Sequence, residues 1–287
     1  MTEAARPPAG PTVGVDIGGT KVAVGLVGAG GAVLRAGRIP TPRTGAEGIL
    51  SAVAEMVRRV AGRDVPLAVG VGAPGVIDPG SGAVTAATEV VPGWTGAPVR
   101  EYLSRALQVP VAVDNDVRAM AFGEARAGAG RGYPSALFVS VGTGIGGALL
   151  LDGRLRHGSH GTAGEIAHLL AGRTGPIRCG CGRDDHVEAV CSGPAIHAGG
   201  AGVGEAAEVL GRSLSGLVTA LDVDAVIVGG GVAQSGAAFL KPFARALRAE
   251  VLPPLREIPV LPAELGLDAP IIGAALLAAD LIAGGTA

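Results

Sequence analysis

The chain has 287 residues, with 23 Lys plus Arg against 25 Asp plus Glu and a net charge of −2. That length can bury a sizeable core, in one large domain or two lobes, and the charge gives no general pull toward nucleic acid or an acidic membrane. Glycine is abundant, at 50 residues, while aromatics make up 2%, which favours close approach of backbone to backbone or ligand over large aromatic pockets.

Cys179 and Cys181 are paired in sequence, which fits a metal clip in a reducing compartment better than a disulfide framework. The opening MTEAARPPAGP lacks a signal pattern, and the apolar stretch from Ile271 to Gly284 is short for a bilayer and broken by Asp280. A soluble cytoplasmic protein with a small-molecule partner is expected, with neither nucleic acid nor membrane as partner.

Residues 1–11 read as a disordered leader. Residues 12–39 then form three alternating β-branched runs separated by DIGGTK (16–21) and GAGGA (28–32), a meander with tight turns. A helix over 46–60, a strand over 67–71, a Pro/Gly turn at 73–75, a helix over 99–107, a strand over 109–113 and a helix over 116–127 follow. The DND loop (114–116) joins that last strand to its helix, the usual place for a ligand in an open α/β sheet. The second half restarts with a strand over 136–141, a glycine turn GTGIGG over 142–147 and a strand over 148–151. Helices over 204–221 and 239–251, a strand over 225–228 running into GGG, and a helix over 270–282 complete the chain. Both halves are α/β, each opening with a meander, so a weak internal repeat is visible. The expected division is a smaller α/β lobe over 12–115, a larger one over 116–270, and a C-terminal helix over 271–287 that can pack back on the first lobe.

Gly142, Gly144 and Gly147 satisfy G-x-G-x-x-G after a strand, yet Ala148 to Leu151 lead to Asp152-Gly153, a hairpin signal rather than the helix a dinucleotide site needs. A hairpin tip can still hold phosphate through backbone N–H groups. DIGGTK, GTGIGG and VGGG each follow a hydrophobic strand, and together they could grip a triphosphate. The glycine-rich composition alone could also produce VGGG. Asp16 and Lys21 on a glycine turn suit magnesium-bound water and phosphate oxygens.

Five ordered motifs, DIGGTK, DND before a helix ending in Gly123-Glu124, GTGIGG, GTAGEIAH (161–168) and CGCGRDDHVE (179–188), resemble those of the ROK family (repressor, open reading frame, kinase) from Val13 onward. The resemblance implies an actin-like, ribonuclease H-like two-lobed ATPase fold, with duplicated mixed sheets, flanking helices and a cleft where sugar and ATP meet. It implies ATP-dependent phosphorylation of a hexose, glucokinase-type and at the 6-hydroxyl, by a homodimer using ATP and Mg2+. Carried over, Asp116 is similar to the family's catalytic base, and Gly75, Asn115, Glu165, His168 and Glu188 to its sugar-binding set. Asp16, Gly18, Gly19, Thr20, Lys21, Gly142, Thr143, Gly144, Gly229, Gly230 and Gly231 correspond to the nucleotide site. The physics agrees, since phosphoryl transfer needs a positioned carboxylate and charge stabilisation, and polyols are held by Asn, Asp, Glu and His groups.

Simpler roles remain open for several of these residues. Asp114 or Asp116 can serve as a helix N-cap. Glu165 can be a solvated surface residue, although its three-residue spacing from His168 would put both on one helical face. His157, His160 and His197 read as surface residues, and Cys191 as a buried thiol.

The family commonly carries a structural zinc held by one His and three Cys. Here His186 stands at the third cysteine, so Cys179, Cys181, His186 and His168 form an altered Zn2+ set, or else the loop is ordered by packing alone. With zinc bound, His168 would use one ring nitrogen for metal and the other for a sugar hydroxyl.

ATEVVPGW (87–94) carries Glu89 and Val90 where many family glucokinases have Asn, which leaves the acceptor open. An N-acyl hexosamine, mannose or a cyclitol are alternatives to glucose. A non-catalytic sugar-sensing regulator is the alternative of another class, although the leader is short for a DNA-reading module.

Overall fold

The computed structural model describes residues 10–87, 91, 93–172, 177–199 and 201–284; most of the expected leader, together with Glu89 and Val90, lies outside the described residues. The chain forms two compact units. One takes the chain as far as Gly128, His157–Gly161 and Leu267 onward, and the other takes Ala129–Arg156 and Thr162–Gly266.

The first unit contains β1 (Thr12–Ile17), β2 (Lys21–Val27), β3 (Val33–Pro40), α1 (Gly45–Ala61), β4 (Val69–Ala73), β5 (Val76–Ile77), β6 (Val84–Ala86), α2 (Val99–Leu107), β7 (Val111–Asn115) and α3 (Asp116–Ala127). Its main sheet has the order β3-β2-β1-β4-β7, with an antiparallel meander on one side and parallel pairs β1–β4 and β4–β7 on the other. Because side chains alternate along a strand, Val13, Val15 and Ile17 enter a core with the helical stripe Ile49, Leu50, Val53, Met56 and Val57 of α1. Thr12 and Gly14 face the other way, onto the C-terminal helix Ala269–Ile282, where the Thr12 hydroxyl donates to the Ala275 carbonyl at 2.9 Å. The approach there is backbone to backbone: a Cβ on Gly14 or Gly70 would lie 1.7 Å from the carbonyl oxygen of Ile271 or Ala274. Only glycine fits at these two positions.

Two expectations change here. β7 continues through Asp114 and Asn115, which pair with Gly72 and Ala73 of β4, so strand passes directly into helix without a loop. Helix α3, expected to open the second lobe, packs instead against the C-terminal helix in the first unit, and the division falls after it.

The second unit contains β8 (Ala136–Val141), β9 (Ile145–Leu151), β10 (Arg154–Arg156), α4 (Val187–Cys191), α5 (Gly193–His197), α6 (Val203–Leu221), β11 (Ala225–Gly229), α7 (Ala237–Glu250) and β12 (Val260–Pro262). Its sheet order, β10-β9-β8-β11-β12, repeats that of the first unit strand for strand, antiparallel meander then parallel pairs. Helices α6 and α7 pack together, and Leu210, Leu214, Phe239 and Phe243 join Leu137 and Val139 in the core. The turn after β8 is shorter than the expected 142–147, because β9 already begins at Ile145 and pairs it with Val141.

Candidate active site

In the first unit, Asn115 is the N-cap of α3, in extended backbone geometry, and its Oδ1 accepts from Val117 N at 3.0 Å and Arg118 N at 3.3 Å. The cap is therefore neither Asp114 nor Asp116. Asp116 is the first helical residue, half-buried, with Oδ1 3.0 Å from Val117 N. The Asn115 side-chain amide donates to the Gly75 carbonyl at 3.1 Å. Gly75 has φ of 94°, and a Cβ there would meet the Ala86 carbonyl oxygen at 2.3 Å. Buried Trp94 donates from Nε1 to the Pro74 carbonyl at 3.1 Å, pinning the same turn.

Asp16 is the one half-buried position in the otherwise buried β1, and burial pushes its pKa up from 3.8 to about 6, against the opposing pull of Lys21 and Arg38. The turn after it is closed by Gly18 N donating to the Lys21 carbonyl at 2.9 Å and by the Thr41 hydroxyl donating to the Gly18 carbonyl at 2.6 Å. Gly19, Thr20 and Lys21 are exposed.

In the second unit, the β8–β9 turn is Gly142-Thr143-Gly144, closed by Gly142 N donating to the Gly144 carbonyl at 2.9 Å. Gly193 N donates to the Gly142 carbonyl at 2.8 Å, and Val232 N to the Val141 carbonyl at 2.9 Å, so the loop after β11 is fastened to the loop after β8. Only glycine serves at Gly230, with φ of 91° and a would-be Cβ 2.4 Å from the Val141 carbonyl oxygen. Gly142, Thr143 and Gly231 line one side of a cavity of about 540 Å³, and Ile196, Val203 and Val232 supply apolar surface. Gly144, Gly229 and Gly230 do not line it. His197, read from sequence as a surface residue without context, also borders this cavity and holds the Gly193 carbonyl through Nδ1 at 2.6 Å. Pro194, at a helix start, is the one cue to the α5 wall that can be read without the fold.

Glu165 does not lie within a helix as expected: it precedes a single 3₁₀ turn, Ile166–His168, and its carbonyl accepts from His168 N at 3.4 Å. Glu188, in α4, accepts at Oε2 from Ile145 N at 3.0 Å and so braces the base of the β8–β9 turn. The His168, Cys179, Cys181 and His186 donor atoms all lie within 4.8 Å of one another. Nδ1 of His186 stands 3.3 Å from Nδ1 of His168 and 3.2 Å from Sγ of Cys181. Tetrahedral zinc, with bonds of about 2.0–2.3 Å, needs donor separations of roughly 3.3–3.8 Å, and the donor set has the right softness. Burial pushes the Cys179 thiol pKa up. His168 turns Nδ1 to the cluster, which leaves Nε2 on the opposite edge of its ring.

The ROK family pattern matches residues 12–202 and 198–281. The chain is 31% identical to a glucokinase of Streptomyces coelicolor over 94% of this chain and 98% of that protein. It is also 31% identical to an N-acetylmannosamine kinase of Shigella boydii over 93% of this chain and 98% of that one. Among solved structures, the ROK family glucokinase of Streptomyces griseus in complex with glucose and AMPPNP superposes with a TM-score of 0.83 at 31% identity, over 94% of this chain and 99% of that one. The twice-repeated sheet is that of the actin-like ATPases. With ordered motifs, repeated topology and nearly full-length likeness in accord, the chain belongs to the ROK family, among its sugar kinases.

Proposed function

We propose that the chain transfers the terminal phosphoryl group of ATP to the 6-hydroxyl of a hexose, with Asp116 as general base. The observation that carries this reading is the division of labour at the start of α3. Asn115 makes the helix cap, so the neighbouring carboxylate of Asp116 is not needed for it. A helix N-terminus favours a charged carboxylate, the form a base needs. Asn115, Glu165, His168 and Glu188 would take sugar hydroxyls, each keeping donor or acceptor capacity beyond the bonds described. Gly75 would hold its turn for Asn115.

On the nucleotide side, the cavity beside Gly142, Thr143 and Gly231 suits an adenosine, and the glycine turns suit phosphates. Asp16 and Lys21 would serve Mg2+ and the phosphate oxygens, the cation screening phosphate charge when bound. Gly18, Gly19, Thr20, Gly144, Gly229 and Gly230 shape these turns. His168, Cys179, Cys181 and His186 would hold Zn2+, whose part is to fix the loop and the His168 ring. The family resemblance carries a homodimer and a cytoplasmic location; no described helix is long and apolar enough to cross a membrane.

An N-acyl hexosamine is the second reading, favoured by the likeness to the Shigella boydii protein. A coupled ADP-release screen against glucose, mannose, N-acetylglucosamine, N-acetylmannosamine and cyclitols tests both. Turnover on a hexose supports the first, and turnover confined to N-acyl sugars supports the second. Absence of turnover on all of them would leave a sugar-sensing regulator.

A further inference from the structure

His157 is not the surface residue that its sequence context indicated. Its Nε2 lies 2.8 Å from Oδ2 of Asp114, a carboxylate only 5% exposed. The other oxygen of Asp114 accepts from Asn115 N at 2.7 Å and faces Nη1 of Arg118 at 3.4 Å. Arg118, itself 1% exposed, donates from Nη2 to the Gly161 carbonyl at 2.5 Å. A carboxylate can only accept, so the proton of the His157–Asp114 bond sits on Nε2 of the imidazole.

Asp114, near the end of β7, and Arg118, in the first turn of α3, stand four residues apart, with Asn115 and Asp116 between them. His157 and Gly161 are the two ends of one turn, in which Gly158 and Gly161 adopt φ of 74° and 72°. One buried ion pair thus brackets the proposed base and holds both ends of that turn. Glu165 and His168 come four and seven residues after Gly161 along the chain.

Removal of the imidazole donor leaves Oδ2 of a buried carboxylate without the bond His157 provides, and Asp114 must then turn to recover one. Its Oδ1 is what fixes the Asn115 peptide, so that rotation is felt at Asn115 and Asp116. The turn leading into Glu165 loses its His157 fastening at the same time.

We infer that His157 is a positioning residue for the phosphoryl transfer, acting through Asp114 on the Asn115-Asp116 pair and on the chain leading to the sugar-binding loop. It deepens the function proposed above and rests on the roles of Asp116 and Glu165 given there. Nothing in the chemistry requires His157 to touch sugar or nucleotide.

The test is the contrast between His157→Gln and His157→Asn, with D-glucose as acceptor, or N-acetyl-D-mannosamine if the screen selects it. Glutamine places an amide N–H where Nε2 stood, whereas the asparagine side chain is too short to reach Asp114. H157Q should keep kcat/KM for the sugar within about threefold of the parent. H157N should lose roughly tenfold or more, as expected for a charge-assisted hydrogen bond, with KM for ATP within about twofold. Equal sugar kinetics in the two variants would overturn the proposal, as would a parallel rise in the KM for ATP. A loss that merely tracks each variant's melting temperature would also overturn it. Asp116→Asn, scored on kcat beside them, separates a failure of the base assignment from a failure of this one.

Discussion

Asn115 and Gly75 are joined by a hydrogen bond of 3.1 Å from side-chain amide to carbonyl, while the same Asn115 side chain caps α3 through its oxygen. Replacing Asn115 with Ala removes both, and the cap alone is worth about 1 kcal/mol. Stability should fall by roughly 2 kcal/mol once the Gly75 bond is included. Asn115→Asp keeps the capping oxygen but loses the donor to Gly75, so its loss should be intermediate. Urea denaturation midpoints of the three proteins check the order; an alanine variant as stable as the parent would contradict it.

Asp116→Asn should lower kcat by about 10²–10⁴-fold, the usual contribution of a positioned general base. The sugar KM should change little, because the amide keeps the shape and an acceptor oxygen. Far-UV circular dichroism should be unchanged, since the α3 cap belongs to Asn115. Steady-state kinetics with the coupled assay decides it, and undiminished turnover would remove Asp116 from the chemistry.

The order of the elements was legible because the strands carry unbroken β-branched runs and glycines punctuate them. Strand β1 and strand β8 could be read that way, and so could α3 behind its polar start. What escaped was short or distant. β5, β6, β10 and β12 have two or three residues each, too few for any period to show. The α5 segment, which gives the cavity Ile196 and His197, lies in a Gly/Ala-rich stretch that reads as little more than a connection.

The Cys179–Cys181 pair was legible for a local reason, since the two lie close in sequence, whereas His186 and His168 joined the set through the family resemblance. The His157–Asp114 bond spans 43 positions, and no spacing rule predicts it. Glu188 was assigned through the family resemblance, but its bond to Ile145 N required the fold.

Zinc should copurify at about one equivalent per chain in protein prepared without added metal, as measured by elemental analysis. Cys181→Ser should lose most of that metal and lower the melting temperature, because the loop from Cys179 to His186 then lacks the metal bonds that would tie it to His168. Sugar affinity should weaken as well, through the released His168 ring, while KM for ATP stays near the parent value. Metal-free wild-type protein with an unchanged melting temperature and full activity would argue for a loop ordered by packing alone.

Asp16 sets a pH dependence whose sign is fixed by its environment. Its pKa rises from 3.8 in the unfolded chain to about 6 in the fold, chiefly through burial. Between those values the folded state binds more protons than the unfolded one, so stability falls as pH rises. The contribution is fully present below about 3.8 and is lost once pH passes about 6. A difference of about 2 units corresponds to roughly 3 kcal/mol at most. Asp16→Asn cannot ionise, so it should flatten this part of the stability profile and exceed the parent in stability above pH 6. It should also lose activity, because the proposed role beside Mg2+ and phosphate needs a carboxylate. Adding magnesium and ATP should therefore stabilise the parent more than the variant, and should do so most clearly at neutral pH, where the parent's buried charge has most to gain. Thermal melts across pH 4–8, with and without the nucleotide, measure all of this. A variant that retained the parent's slope would show that another group carries it, and a variant that retained full activity would remove Asp16 from the nucleotide site.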